Sequence, residues 1–247
     1  MSIIKDFCLM SSVILMLLYY VKYYRLKNAL IAQKSHFINT LSHDFRVTLI
    51  AQLRGLELLQ NNVSNEVLPL VRDINNSCMY SFDLVTTLIK IYKLECNKNS
   101  LNYEYVNLFD VKNSILDKIS ESAKYKNIKL EITTNCKNIY ADRKNFTKAI
   151  EILVLTALQY SNKDSTIKFI INSFKNKFKI RIIYNGHPIT EEEYKRMFSC
   201  NSSFSTVGHG IQMYFCRKII ELHNGKIIVN RYKNLLNSFD ILLPKIA

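Results

Sequence analysis

The stretch FINTLSHDFRVTLIA, residues 37–51, lies in a run without Gly or Pro that ends only at Gly55. Around it Ile38, Leu41, Phe45, Leu49, Leu53 and Leu56 recur at three- and four-residue steps, the signature of a helix with one apolar stripe. His43 stands two residues from Leu41 and two from Phe45. At about 100° per residue it points roughly opposite the stripe, with Asp44 beside it. Taken alone, a histidine on a solvated helix face is an ordinary surface residue. Residues 61–65 (NNVSN) read as a turn, and a second stripe follows in Val67, Val71, Ile74, Cys78, Phe82, Val85, Ile89 and Tyr92. Pro69 falls in the first turn of that helix, where its missing N–H costs nothing. Two such helices form an antiparallel hairpin. One hairpin is too thin to bury both stripes, so pairing into a four-helix dimer is expected.

The same stretch resembles the phosphoacceptor box of bacterial two-component sensor histidine kinases, written F-x-x-x-x-S-H-E/D-L-R-T-P-L. Phe37, Ser42, His43, Asp44, Arg46 and Leu49 match in place. The resemblance implies that His43 carries the phosphoryl group and that Asp44 is the base that takes up the ring proton. An exposed imidazole nitrogen suits this, being nucleophilic at neutral pH. The family's Thr-Pro is Val47-Thr48 here, which predicts a straighter helix past the histidine. Val47 also lacks the polar group that positions water for phosphatase action, so phosphatase activity by that route is not expected.

Residues 94–100 (LECNKNS) are a polar break, beyond which the pattern changes. Alternation at 128–132, 166–170 and 179–183 reads as strands. Asp142 reads as the N-cap of a helix through Phe146, Ile150, Leu153 and Ala157. Thr190 and Glu193 have capping-box spacing. Phe215, Ile219 and Leu222 lie on a third helix, and after a turn at Gly225 the residues Ile227, Val229, Phe239, Ile241 and Leu243 give two further strands. This is an α+β sandwich with helices over one face of a mixed sheet. The order of landmarks resembles the histidine kinase ATPase domain, a fold shared with gyrase and the large heat-shock chaperone. Gly186-His187-Pro188-Ile189 is similar to half of the first glycine box, and Gly208-His209-Gly210-Ile211 to the second. His223-Asn224-Gly225-Lys226-Ile227 and Phe239-x-Ile241-x-Leu243-Pro244 resemble the motifs that close the domain. The resemblance implies ATP and Mg as cofactors, with Gly186, Ile189, Gly208, Gly210, Thr156 and Asn185 as the residues toward the nucleotide.

The departures are chemical. The family's nucleotide-site helix carries N-x-x-x-N-A-x-K, whose asparagine oxygen binds magnesium and whose lysine meets the phosphates. Here the stretch is ILVLTALQ, residues 152–159. Ile152 cannot coordinate a metal, and Thr156 offers only a hydroxyl. The aspartate that accepts from the adenine amino group is Tyr184; a one-residue shift would bring Asn185 there, without the charge. The second glycine of the first box is Pro188, and the third of the second box is Gln212, whose side chain stands where backbone should approach phosphate. One lost polar contact costs about 1–3 kcal/mol, and several lost together are expected to defeat autophosphorylation.

Residues 7–21 (FCLMSSVILMLLYYV) carry no charge, and Lys22, Arg25 and Lys27 follow. This predicts a short single-pass anchor in the inner membrane, with snorkelling lysines and an aromatic belt at Tyr19, Tyr20, Tyr23 and Tyr24. By the positive-inside rule the bulk of the chain is then in the cytoplasm, with no room for an external sensor ahead of the span. The expected organisation is an anchor and juxtamembrane segment at 1–27, a dimerisation and phosphotransfer hairpin at 28–96, and a degenerate ATPase-type domain at 97–247.

The formal net charge is +14. Nucleic acid, anionic lipid or a solvated Lys/Asn-rich surface would each account for it. The lysines are scattered rather than clustered as a basic arm, which favours the solvated surface and no nucleic-acid partner. The six cysteines, Cys8, Cys78, Cys96, Cys136, Cys200 and Cys216, include no C-x-x-C pair and read as apolar residues of a reducing compartment, with no metal site. Three functions follow: an ordinary sensor kinase, a kinase-like protein that exchanges phosphate between His43 and a response regulator receiver domain, or a non-catalytic scaffold. Pairing with a twin or with an active kinase fits the hairpin equally.

Overall fold

The computed structural model describes residues 2–96, 101–187, 189–190, 192–193, 197–198, 210–232 and 236–245, with backbone only at 2–13, 31, 35, 36 and 39. The chain divides into two compact units, Met1–Asn97 and Lys98–Ala247.

The first unit is a pair of helices, α1 (Ser2–Gln60) and α2 (Leu68–Cys96). The turn between them is closed by the Asn62 N–H on Leu59 O and the Leu68 N–H on Ser64 O. Helix α1 has 59 residues and runs unbroken past the histidine box, as the absence of Pro and Gly before Gly55 requires. Along the expected stripes Leu41, Leu49, Leu53, Leu56, Cys78, Phe82 and Val85 are half-buried, and Val71 and Ile89 are buried. Phe45, Leu58, Leu59, Val67, Leu70, Ile74, Met79 and Leu88 remain exposed.

The membrane anchor is not upheld. Among the described residues no helix is long and apolar enough to cross a membrane. The physical reason is length. The uncharged run from Phe7 to Val21 is bounded by Asp6 and Lys22, and a span needs about 20 apolar residues. Helix α1 carries straight on through Lys22, Tyr23, Tyr24 and Arg25 with their side chains exposed. The inner-membrane, single-pass placement falls with it.

The second unit is built on β1 (Tyr103–Asn107), α3 (Leu108–Lys126), β2 (Lys129–Thr134), β3 (Asn138–Asp142), α4 (Arg143–Tyr160), β4 (Thr166–Ser173), β5 (Lys177–Asn185), α5 (Gly210–Leu222), β6 (Lys226–Arg231) and β7 (Leu236–Pro244). Its main sheet has five strands in the order β2-β4-β5-β7-β6, and β1 pairs with β3 in a separate two-stranded sheet. Strand β2 runs parallel to β4, and the other neighbours are antiparallel. Period-two alternation puts Phe178, Ile180, Ile182 and Tyr184 of β5 and Phe239, Ile241 and Leu243 of β7 in the core. Helix α4 covers them with Phe146, Ile150, Leu153, Val154 and Ala157, each large one contributing about 1.5–3 kcal/mol by burial.

Both ends of α4 are fixed by side chains. At its start Asp142 Oδ1 accepts from the Asn145 N–H at 2.9 Å and Oδ2 from the Asn102 N–H at 2.9 Å. The Asp142 N–H donates to His223 Nε2 at 3.0 Å, while His223 Nδ1 lies 2.8 Å from Ile219 O. The buried imidazole is therefore neutral with its proton on Nδ1, and burial lowers its pKa. At the other end Lys126 Nζ donates to the carbonyls of Leu158 (3.1 Å), Gln159 (2.7 Å) and Ser161 (3.2 Å), satisfying orphan acceptors of the last turn.

Candidate functional site

The chemistry-bearing residues of the first unit sit on one exposed turn of α1. His43 and Asp44 side chains are 75% and 70% exposed, with Nδ1 3.3 Å from Asp44 Oδ1. The tautomer this pairing favours carries the proton on Nδ1 and leaves the lone pair on Nε2. Ser42, one residue earlier, is buried and bonds back to Ile38 O, and Thr48 Oγ1 donates to Asp44 O at 2.9 Å. Neither hydroxyl is spent on the imidazole. Val47, Ile50 and Arg54 continue along the helix from His43; Val47 and Arg54 are exposed and Ile50 half-exposed. Val47 brings no polar atom to this surface.

In the second unit the expected nucleotide residues lie where α4, α5 and the end of β5 meet. Thr156 is 1% exposed; its hydroxyl donates to Ile152 O at 2.8 Å and lies 3.5 Å from Met213 Sδ. Ile152 is buried as well. Cys216 Sγ donates to Ala149 O at 3.3 Å, and burial pushes its thiol pKa up. These contacts knit α4 to α5.

Gly186 is held against the end of α4. It bridges Ser161, the His187 N–H donates to Tyr160 O at 3.2 Å, and the Asn162 N–H donates to Asn185 O at 2.9 Å. A Cβ on Gly186 would lie 1.9 Å from Tyr160 O, so this glycine is required by backbone against backbone. Asn185 is exposed, and Ile189 is fully buried. Gly210 is the first residue of α5 and is buried. Gly208 and Pro188 lie outside the described residues. Thr190 and Glu193 form the reciprocal capping box: the Thr190 N–H donates to Glu193 Oε2 at 2.7 Å and the Glu193 N–H to Thr190 Oγ1 at 3.1 Å.

ATP with Mg does not fit this set. The two positions for asparagine, one of which would bind the metal, hold Ile152 and Thr156, both packed in the core. The Thr156 hydroxyl already bonds its own helix. The position for the adenine acceptor holds Tyr184, whose ring is fully buried, stacked on Phe239 at 5.8 Å, with a hydroxyl that has no partner among the described residues. Burial raises its pKa. Among the described residues no group of three or more His, Cys, Asp or Glu side chains gathers for a metal ion.

The sequence alone gives no structural role to His223 and Lys126. His223 lies against Tyr103 at 5.0 Å between ring centroids and ties the start of α4 to the end of α5. Its sequence signal, a histidine just before Asn-Gly at a helix end, reads only as part of a motif. Lys126 has no signal, because its partners are main-chain carbonyls far along the chain.

Residues 141–245 match the family described as "Histidine kinase-, DNA gyrase B-, and HSP90-like ATPase". The chain is 21% identical over 226 residues to the sensor histidine kinase YvrG of Bacillus subtilis (strain 168), covering 87% of this chain but 39% of that one. It therefore spans well under two thirds of that relative. The catalytic domain of the histidine kinase ThkA superposes with a TM-score of 0.54 at 26% identity, over 59% of this chain and 97% of that one. ThkA in complex with the response regulator protein TrrA aligns over 84% of this chain and 60% of that one, at 22% identity and a TM-score of 0.56; that likeness is one of fold. Histidine box, ATPase-type unit and relatives agree, and the chain is similar to the sensor histidine kinases of two-component systems.

Proposed function

We propose that this chain exchanges a phosphoryl group between His43 and the aspartate of a response regulator receiver domain, without an ATP-driven step of its own. The observation that carries the reading is a contrast within one molecule: His43 and Asp44 stand in solvent, while the positions that would bind Mg and adenine are filled by packed side chains. In the exchange, His43 Nε2 attacks the phosphorus of the aspartyl phosphate. The new P–N bond replaces the P–O bond, and the regulator's carboxylate leaves. The positive charge that develops on the ring is met by Asp44 at Nδ1. The metal this step needs belongs to the receiver domain. ThkA, a relative by fold, is seen in complex with a response regulator, which supports that class of partner. The exposed apolar residues of the hairpin, among them Phe45, Leu58, Leu70 and Ile74, support pairing of two hairpins, with a twin or with an active kinase.

The test supplies the full chain with a radiolabelled, phosphorylated response regulator. Acid-labile, base-stable label is expected on this chain and is expected to vanish in His43→Ala. Asp44→Asn should slow the transfer by about 100-fold. Labelled ATP with Mg and no regulator should give no label. His43-dependent label from ATP would overturn the absence of autophosphorylation. Failure of every phosphorylated regulator tested to transfer would leave only a scaffold that pairs with an active kinase.

A further inference from the structure

We infer that Tyr184 is the residue that bars a purine base from the ATPase-type unit, its own phenol ring standing in the volume a base would take. The inference rests on the proposed absence of an ATP-driven step and names what enforces it. Tyr184 is the last of four inward residues on β5, after Phe178, Ile180 and Ile182. It faces the side of the sheet that α4 covers. The family places at this position a short carboxylate that meets the edge of adenine, so a side chain here is directed at the base. A phenol in its place reaches past that edge and fills the space behind it.

Three features of the site support a plug rather than a polar anchor. The ring is fully buried and lies against Phe239, with centroids 5.8 Å apart and an interplanar angle of 29°. Among the described residues the hydroxyl has no hydrogen-bond partner, although buried tyrosines ordinarily find one. The position therefore uses the ring's volume and not its polar tip. The strand end is also pinned. Gly186 is wedged under Tyr160 O, its own carbonyl accepts from Asn237 Nδ2 at 3.1 Å, and Ile189 is buried beyond it. The ring cannot be released by sliding β5. The Thr156–Met213 contact blocks the neighbouring volume between α4 and α5.

A large-to-small change in such a setting leaves a cavity that accepts a planar aromatic molecule. The probes are 4-methylphenol, which is the excised side chain, and adenine, each added to the full chain and followed by thermal unfolding and calorimetry. Neither is expected to move the wild-type midpoint. Tyr184→Ala should unfold at lower temperature, recover several degrees with millimolar 4-methylphenol, and recover with adenine as well, adenine weakening phenol binding at least tenfold by competition. Wild-type binding of adenine or ADP would overturn the plug, as would a variant cavity that takes the phenol and refuses adenine. Should Tyr184→Ala not fold, Tyr184→Leu carries the same ligand test. Tyr184→Phe should be at least as stable as wild type, since no hydrogen bond is lost, and a fall in stability would also overturn the inference. None of these measurements reads phosphorylation, so their failure leaves exchange through His43 standing, whereas ATP-derived label on wild-type His43 would sink both.

Discussion

On the hairpin, His43 and Asp44 are 75% and 70% exposed; in the second unit Thr156, Tyr184 and Ile189 are 1%, 0% and 0% exposed. Both sets lie where the resemblance to histidine kinases leads one to expect chemistry. One set stands in solvent and the other is absorbed into a core. The two regions therefore obey different constraints. A surface imidazole must stay accessible and costs the fold nothing. The interior of a small α+β unit must be filled, because an unfilled cavity is destabilising in proportion to its volume. Ile152, Thr156, Met213 and Tyr184 fill it, each buried and Thr156 bonded to its own helix.

The comparison is broken most sharply on the transfer readout. His43→Ala should abolish label from a phosphorylated regulator, while adding or withholding ATP should change nothing; ATP dependence would mean that the second unit still drives the first. The next largest effect should come from Gly186→Ala. Its Cβ would sit 1.9 Å from Tyr160 O, and a forced main-chain shift of that kind should cost about 3 kcal/mol in urea unfolding of the second unit. A loss below about 1 kcal/mol would mean that α4 and β5 are not locked together. Acid should then separate the two units. His223 has its pKa lowered in the folded state, so below about pH 6.5 the unfolded chain binds a proton that the folded chain refuses. Stability of the second unit is full above that value and falls as pH drops below it, and His223→Gln should flatten the profile. The smallest effect is in the hairpin. Gly55 sits in mid-helix, and a Cβ added there would meet nothing within 4 Å, so Gly55→Ala should raise helix stability by about 0.5–1 kcal/mol. The same substitution thus has opposite signs in the two regions.

Much of this is legible in the sequence, and the exceptions have physical causes. Strands β4 and β5 announce themselves because each has one buried face, and period-two alternation records it; in β2, β6 and β7 the alternation is one of sequence, the first two being half-buried at most and β7 buried on both faces. Strands β1 and β3 do not. In YEYVN and NIYAD the outward positions include tyrosines, Tyr105 and Tyr140, whose ring centroids lie 5.2 Å apart, so apolar character falls on both faces. Helix α3 carries a quieter signal, with Asn107 as N-cap and Val111, Ile115 and Ile119 at four-residue steps, but no motif marks it. The anchor fails on length: a run of fifteen uncharged residues has the flanking charges of a span without its reach. For the site, the lost Asn and Lys residues are visible as absences. What the sequence hides is that Tyr184 and Thr156 face inward together, since burial of a hydroxyl depends on partners distant along the chain.

The main sheet ends on β2 and β6, and a bare strand edge is a template on which another chain can add. Here Lys129 and Glu131 stand on one edge strand, and Lys226 and Arg231 close the two ends of the other. Any strand docking there would have to strip water from those charges, which discourages sheet growth and fibre formation. Self-association of this protein is thereby steered away from β-addition and left to its helices.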